Sequence, residues 1–312
     1  MTVDVAVSVF PARQWLVVPV AAGRAGWSSL DLPRWVGRLR GGGRNREGPP
    51  CTLCGMNIDV IPNRFPKAEE IGVLLGVWAH PDDEAYLSAG LMSLARAAGQ
   101  RVVVATATRG ESGTADPASW PPPRLAVVRE RELAASLAAI DVGEHHWLGH
   151  ADGALHEVAP SRGVGRIAEL IDRVRPDTIV TFGPEGLTGH TDHQVISDWV
   201  GAAWQQTGRR SRLWHATLTP QFHRRWGALA ASCGFWMPGA RPPCDDPAEL
   251  AFAVHCEDAL LDRKVVALRA HASQTSELIA SVGVERYRRW WADEAFADGS
   301  RRVAAQGERA AA

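Results

Sequence analysis

Ile71-Gly-Val-Leu-Leu-Gly-Val-Trp-Ala79, running straight into His80-Pro-Asp-Asp-Glu84, is the stretch on which the fold turns. An unbroken apolar run of this length is the pattern of a strand buried on both faces, as in a parallel sheet. Downstream, Ala85 to Ala98 has a helical pattern, and Gly99 ends it as a C-cap glycine does. Val102 to Thr106 is a second buried strand, rich in β-branched residues. Leu125 to Ile140 reads as a long amphipathic helix, His146 to Leu148 as a short strand and Ile167 to Val174 as a helix. Thr178 to Phe182 is another buried strand, and Thr191 to Trp204 another helix. Strand and helix in alternation predict an α/β fold with a mostly parallel sheet.

Outside this core the pattern weakens. Leu213 to Thr217 reads as a strand, Pro247 to Ala270 as mostly helix, and Tyr287 to Ala297 as a helix carrying Trp290 and Trp291. Residues 1–66 read as a poorly ordered N-terminal extension, with Arg34, Arg38, Arg40, Arg44 and Arg46 around Gly41-Gly42-Gly43 and Pro49-Pro50 behind them. The main domain is expected over 67–302 and a flexible tail over 303–312. Cys51-x-x-Cys54 has no second Cys pair, so it reads as two incidental thiols and not as a zinc ribbon.

The bulk numbers exclude several classes. A formal net charge of −1 over 312 residues gives no global attraction to nucleic acid or to an anionic membrane. No apolar run approaches the roughly 20 residues needed to span a bilayer. The first residues lack a secretory pattern and the five cysteines are odd in number, so a cytoplasmic protein without a disulfide framework is expected. Oligomeric state is not legible.

Two clusters carry chemistry. His80-Pro-Asp-Asp-Glu84 follows a buried strand, and in open α/β sheets ligands bind beyond the carboxyl ends of strands. It offers an imidazole and carboxylates within a few residues, the donors a catalytic zinc takes. Gly189-His190-Thr191-Asp192-His193 follows the strand ending at Phe182 and supplies two more imidazoles. One imidazole and one carboxylate from the first cluster and His193 from the second make three protein ligands, leaving a fourth position open for water. Asp192 is placed to hydrogen-bond an imidazole and fix its tautomer. A nucleotide-binding module is disfavoured, because the carboxylates stand where a glycine-rich phosphate loop would and would repel phosphate.

Taken together these motifs resemble the PIG-L/LmbE-like family of zinc-dependent N-deacetylases, over about Val73 to His193. Thr108-Arg-Gly-Glu-Ser-Gly113, Arg129-x-x-Glu132-Leu133 and Leu148-Gly-His-Ala-Asp-Gly153 are similar to further family segments, and Lys264 to Gln274 gives a weaker echo. The resemblance implies a three-layer Rossmann-like (LmbE-like) fold. It implies a metal site of His80, Asp83 and His193, holding zinc with iron(II) as the alternative. It also implies Asp82 as general base and His190 as the group that stabilises the oxyanion or protonates the amine. Arg109 and Glu111 are candidates for shaping the pocket. For Arg129 and Glu132 a helix-surface or packing role is favoured, with a place beside the substrate as the alternative. His271 resembles a family segment without an assigned chemistry. Some mycothiol-pathway members have a tyrosine where Thr188 stands. The implied substrate is a small N-acylated sugar or glycoconjugate of the N-acetylglucosamine type. The alternatives are an amidase for a bulkier acyl group and a non-catalytic carbohydrate-binding relative.

Overall fold

Five short strands alternate with helices, three of them on the buried runs, and a computed structural model describes them within residues 68–304. Residues 1–67 and 305–312, with the expected extension, the Cys51/Cys54 pair and most of the expected tail, lie outside the described residues; 303 and 304 are helical. The first strands are β1 (Leu74–Trp78), β2 (Val102–Thr106), β3 (Glu144–Trp147), β4 (Thr178–Phe182) and β5 (Arg212–Thr217). Every residue of β1, β2 and β4 is buried, which is why their sequences are continuously apolar instead of alternating. The helices are α1 (Asp83–Ala97), α2 (Pro122–Ala139), α3 (Pro160–Val174), α4 (Gly186–Gly189), α5 (Thr191–Gln206), α6 (Pro220–Ser232), α7 (Asp258–Ala270), α8 (Ala272–Val282) and α9 (Val284–Trp290).

With β6 (Leu250–His255) and β7 (Asp293–Asp298), the strands form one seven-stranded sheet in the order β3-β2-β1-β4-β5-β7-β6. β1 to β5 pair parallel, and β7 runs antiparallel to both β5 and β6. α1, α2 and α7 pack together as one helical layer, and α3 and α5 pack together as another. The architecture is therefore the expected three-layer α/β fold.

The strand order matters more than the layers. From β1 the chain builds outward to β2 and β3, then crosses back to pair β4 on the other side of β1. The loops leaving β1 and β4 therefore diverge around one crevice, the topological switch point at which open α/β sheets bind ligands. Both chemistry-bearing motifs emerge there.

Two expectations are corrected at the antiparallel edge. Pro247 to Ala270 is helical only from Asp258, because Leu250–His255 is drawn into strand β6. Tyr287 to Ala297 stops being helix at Trp290, because Asp293–Asp298 is β7, paired on both sides. In each case antiparallel pairing to a distant partner decides the conformation of a segment that is locally ambiguous. Helices α6 and α8 had no counterpart in the sequence reading.

A fully buried ion pair ties this edge to the rest of the molecule. Lys264 Nζ lies 2.6 Å from Glu294 Oε1, and both side chains are at zero exposure. The Glu294 carboxylate also accepts the backbone N–H groups of Gly90 (2.7 Å) and Leu91 (2.8 Å), while Lys264 donates to the Tyr86 carbonyl (2.9 Å). β7, α7 and the middle of α1 thus share one polar network. Among the described residues no helix is long and apolar enough to cross a membrane.

Candidate metal centre

His80 follows β1 directly, and Asp83 opens α1. His193 stands in the first turn of α5, and His190 is the cap before it. Residues separated by more than a hundred positions are thereby brought together. His80 Nδ1 lies 3.2 Å from His193 Nε2. An Asp83 oxygen lies 3.4 Å from His193 Nε2, and the other lies 3.7 Å from His80 Nδ1. A tetrahedral ion with bonds of about 2.1 Å has ligand–ligand edges of about 3.4 Å, so these spacings suit a single small cation.

The surroundings of each ring fix which nitrogen faces inward. His80 Nε2 meets Asp152 Oδ1 at 3.0 Å and Asp192 Oδ2 at 3.3 Å, so it is the donor nitrogen and Nδ1 keeps a lone pair. His193 Nδ1 donates to the Gly186 carbonyl at 3.0 Å, leaving its Nε2 lone pair toward His80 and Asp83. Two lone pairs and a carboxylate therefore converge, an arrangement that calls for a positive charge among them. The electrostatics put that positive charge on His80 itself, so a cation bound here must displace a proton from Nδ1. Burial opposes a charged His80, but hydrogen bonds to Asp152 and Asp192 outweigh it and raise the group to about 10. His193, by burial and by the neighbouring His80 charge, is held well below the usual range and stays neutral. Burial raises Asp83 to about 7, against the pull of His80. His190 is close enough to join the group, its ring centroid 4.8 Å from His80 and 5.0 Å from His193. Among the described residues two groups of side chains could hold a metal ion, His80 with His190 and His193, and His80 with Asp152 and Asp192.

His190 is oriented by the backbone. Asp192 N–H donates to His190 Nδ1 at 3.1 Å, so Nε2 carries the proton. Asp192 itself is fully buried, and its carboxylate also accepts the N–H groups of Gly153 (2.8 Å) and Leu155 (3.2 Å). Asp152, in the Leu148-Gly-His-Ala-Asp-Gly153 motif, holds His80 through its carboxylate, which also accepts the Ser112 N–H at 2.8 Å. Burial works against its charge, but the hydrogen bond and charge of His80, the Ser112 N–H and the Arg129 charge together outweigh it and hold Asp152 at about 2. Its position was legible, an aspartate before a glycine just past the carboxyl end of β3, but its partnership with the distant His80 was not.

Asp82 sits at φ 108°, ψ −30°, in the left-handed region that a non-glycine residue enters at a cost of about 1–3 kcal/mol. Leu187, across the crevice, is also unusual at φ 56°, ψ −61°. The Asp82 carboxylate lies 3.2 Å from Arg129 Nη2, which also donates to the Pro81 carbonyl. Burial raises the Asp82 carboxyl above the usual carboxylate range, against the Arg129 and His271 charges. Arg129 is only 3% exposed, and its Nη1 donates to the Gly110 carbonyl at 2.8 Å. A side chain on Gly110 would collide with that guanidinium. Arg129 thus belongs to the site and not to the helix surface. Glu132, one turn along α2, accepts the Ser273 N–H (2.7 Å) and hydroxyl (2.6 Å).

The other candidates separate. Glu111 accepts the Asp152 N–H at 3.0 Å and so supports the site from behind. Arg109 does not reach it: it lies over the Trp147 ring and 3.4 Å from Glu130, half exposed. Thr188 lines the cavity, with its hydroxyl 3.4 Å from His193 Nδ1. That cavity, about 300 Å³, has the His/Asp cluster as its floor. Its lining includes polar side chains, Ser112, Asp152, Arg129 and Gln274, and apolar ones, Tyr86, Leu87, Leu187 and Phe235.

A family model described as GlcNAc-PI de-N-acetylase (PIG-L) matches residues 75–204. A 1D-myo-inositol 2-acetamido-2-deoxy-alpha-D-glucopyranoside deacetylase of Saccharomonospora viridis is 30% identical over 229 residues, covering 64% of this chain and 84% of the relative. The chain belongs to the PIG-L family. A deacetylase of the same description from Kineococcus radiotolerans is 35% identical over 153 residues, which is 40% of this chain and 42% of that protein. Among solved structures, N,N'-diacetylchitobiose deacetylase from Pyrococcus horikoshii superposes with a TM-score of 0.51 at 18% identity, covering 77% of this chain and 90% of that one. That likeness speaks for the fold alone.

Proposed function

We propose that this PIG-L family chain hydrolyses an N-acyl amide, an N-acetyl group on an amino-sugar-type small molecule, at a zinc ion held by His80, Asp83 and His193. The deacetylase class rests on the family and its relatives. The observation that carries the site is the convergence of two imidazole nitrogens and a carboxylate within 3.2–3.7 Å, the rings fixed from behind by the Asp152 carboxylate and the Gly186 carbonyl and the Asp83 carboxylate by the His80 backbone N–H. Nitrogen and carboxylate donors are those zinc takes, with iron(II) the alternative.

Bound there, zinc would polarise the amide carbonyl and bring the pKa of a water toward about 7. The protein supplies the proton handling. Asp82, with its carboxyl raised by burial, is placed to accept the proton of the attacking water. His190 carries its proton on Nε2 and lines the cavity, so it can donate a hydrogen bond to the oxyanion, while the proton taken up by Asp82 goes to the departing amine. Ser112, Asp152 and Gln274 offer hydrogen-bonding partners to sugar hydroxyls, and Tyr86 and Phe235 offer apolar contact. No membrane or nucleic-acid partner is part of this reading.

The test is metal analysis of the purified chain, followed by a free-amine assay over N-acetylated and bulkier N-acylated sugars. Asp82→Asn is expected to keep its metal and lose about 10²–10⁴-fold in kcat. His193→Ala is expected to lose the metal itself. Bulkier amides cleaved in preference to acetyl would favour the amidase reading. Full metal occupancy with no hydrolysis of any substrate would sink the enzyme reading.

A further inference from the structure

We infer that Glu84 and His271 are positioning residues for Asp82: their buried pair fixes the left-handed turn that presents the Asp82 carboxylate to the cavity. The inference rests on the proposed role of Asp82, and its structural half stands on geometry alone.

The geometry concerns one peptide unit. The φ angle of Asp82 is set by the orientation of the Pro81–Asp82 peptide plane. That plane is gripped at both ends. Its carbonyl accepts Arg129, and its N–H donates to Glu84 Oε2 at 2.9 Å. A strained φ of 108° persists only where its surroundings over-determine it, and these two contacts do so.

Glu84 is in turn fully committed. Its second oxygen accepts His271 Nε2 at 2.8 Å and the Ser136 hydroxyl at 3.0 Å, with the Glu84 and His271 side chains at zero exposure. His271 comes from the junction of α7 and α8, 187 residues away. Its backbone carbonyl is anchored by Gln274 and Thr275, while its Nδ1 has no partner among the described residues. The one polar task of this imidazole is therefore to hold the Glu84 carboxylate. Neither Glu84 nor His271 lines the cavity, so neither touches substrate. A buried ion pair is a weak source of net stability, which leaves the orientation of the Asp82 turn as what this pair achieves.

The experiment uses the full chain with its bound metal and compares Glu84→Ala, Glu84→Gln, His271→Phe and His271→Gln. Metal content, melting temperature, kcat, KM and a crystal structure are measured for each. Gln at position 84 keeps an acceptor for the Asp82 N–H, and Gln at 271 keeps an N–H for Glu84. Glu84→Ala and His271→Phe are expected to lose roughly 10²-fold in kcat, with KM and metal content near wild type, as for a displaced base. The two Gln variants are expected to recover most of that loss. In the Glu84→Ala structure Asp82 should leave the left-handed region and part from Arg129. If Asp82 keeps its conformation there, or if Glu84→Gln falls as far as Glu84→Ala, the inference is overturned. Should Glu84→Ala fail to fold, the two His271 variants decide, and equal losses in both overturn it. If wild type hydrolyses no N-acyl substrate, the deacylase reading fails, while the Asp82 backbone in the variant structures still tests the positioning claim.

Discussion

Lys264–Glu294 and Glu84–His271 are both buried at zero exposure, both join α1 to a distant segment, and both use the carboxylate to hold backbone N–H groups. They differ in where along the helix they act. Glu294 grips Gly90 and Leu91, in regular helix two turns beyond the metal cluster. Glu84 grips Asp82, at the strained entry to the same helix. The same chemistry therefore serves cohesion in one place and the shape of the Asp82 turn in the other. Breaking either pair should cost stability, because each strands a buried charge, but only breaking the second should also cost turnover.

Lys264→Met gives the largest expected effect on the fold. It strands Glu294 as an uncompensated buried charge, a loss of about 3–5 kcal/mol. For a domain of this size each kcal/mol lowers the melting temperature by roughly 2–4 °C, so calorimetry should find a drop of roughly 6–20 °C. The kcat of the folded fraction, measured in the cold, should stay near wild type. A variant with unchanged melting temperature and lost turnover would erase the contrast between the two pairs.

The contrast also marks how far the sequence could be read. β1, β2 and β4 were legible because each is buried on both faces and so has a continuous apolar run. The ends of those strands were legible as a site because His80-Pro-Asp-Asp-Glu84 and Gly189-His-Thr-Asp-His193 place metal-type donors beside them. β6 and β7 were not. Leu250–His255 and Asp293–Asp298 are six-residue segments next to true helices, and only their antiparallel pairing makes them strands. The roles of Arg129, Asp152 and His271 were hidden for a related reason. Each depends on a contact 48 to 187 residues away, which no local pattern encodes.

Another buried imidazole sharpens the comparison at intermediate size. His215, in β5, has neither ring nitrogen partnered among the described residues, the opposite of His271. Burial, with help from the Arg302 charge, lowers its pKa to about 3. Its folded pKa lies below the unfolded value of about 6.5, so its neutral form is the native one. The stability it permits is full above about pH 6.5 and is lost as pH falls toward 3, by up to about 1.4 kcal/mol per pH unit. Urea unfolding at pH 6.5 and pH 5 should therefore show wild type losing about 2 kcal/mol more than His215→Leu over that interval. Equal losses would mean that the ring escapes burial or finds a partner when charged.

The smallest effect is expected where a close pair is left in water. Arg101 and Glu144 approach to 2.7 Å across β2 and β3, as near as the buried pairs, yet their side chains are 45% and 37% exposed. Solvent screens the attraction, and holding two long side chains costs entropy, so such pairs contribute about 0–1 kcal/mol. Arg101 also donates to the Val174 carbonyl at 3.3 Å, so a single Arg101→Ala change mixes two contacts. A double-mutant cycle with Glu144→Ala isolates the ionic part, and its coupling should shrink further in 1 M salt. A coupling that matched the Lys264–Glu294 pair and ignored salt would mean that distance, and not burial, sets the worth of these contacts. The division between cohesion and catalysis drawn along α1 would then need another basis.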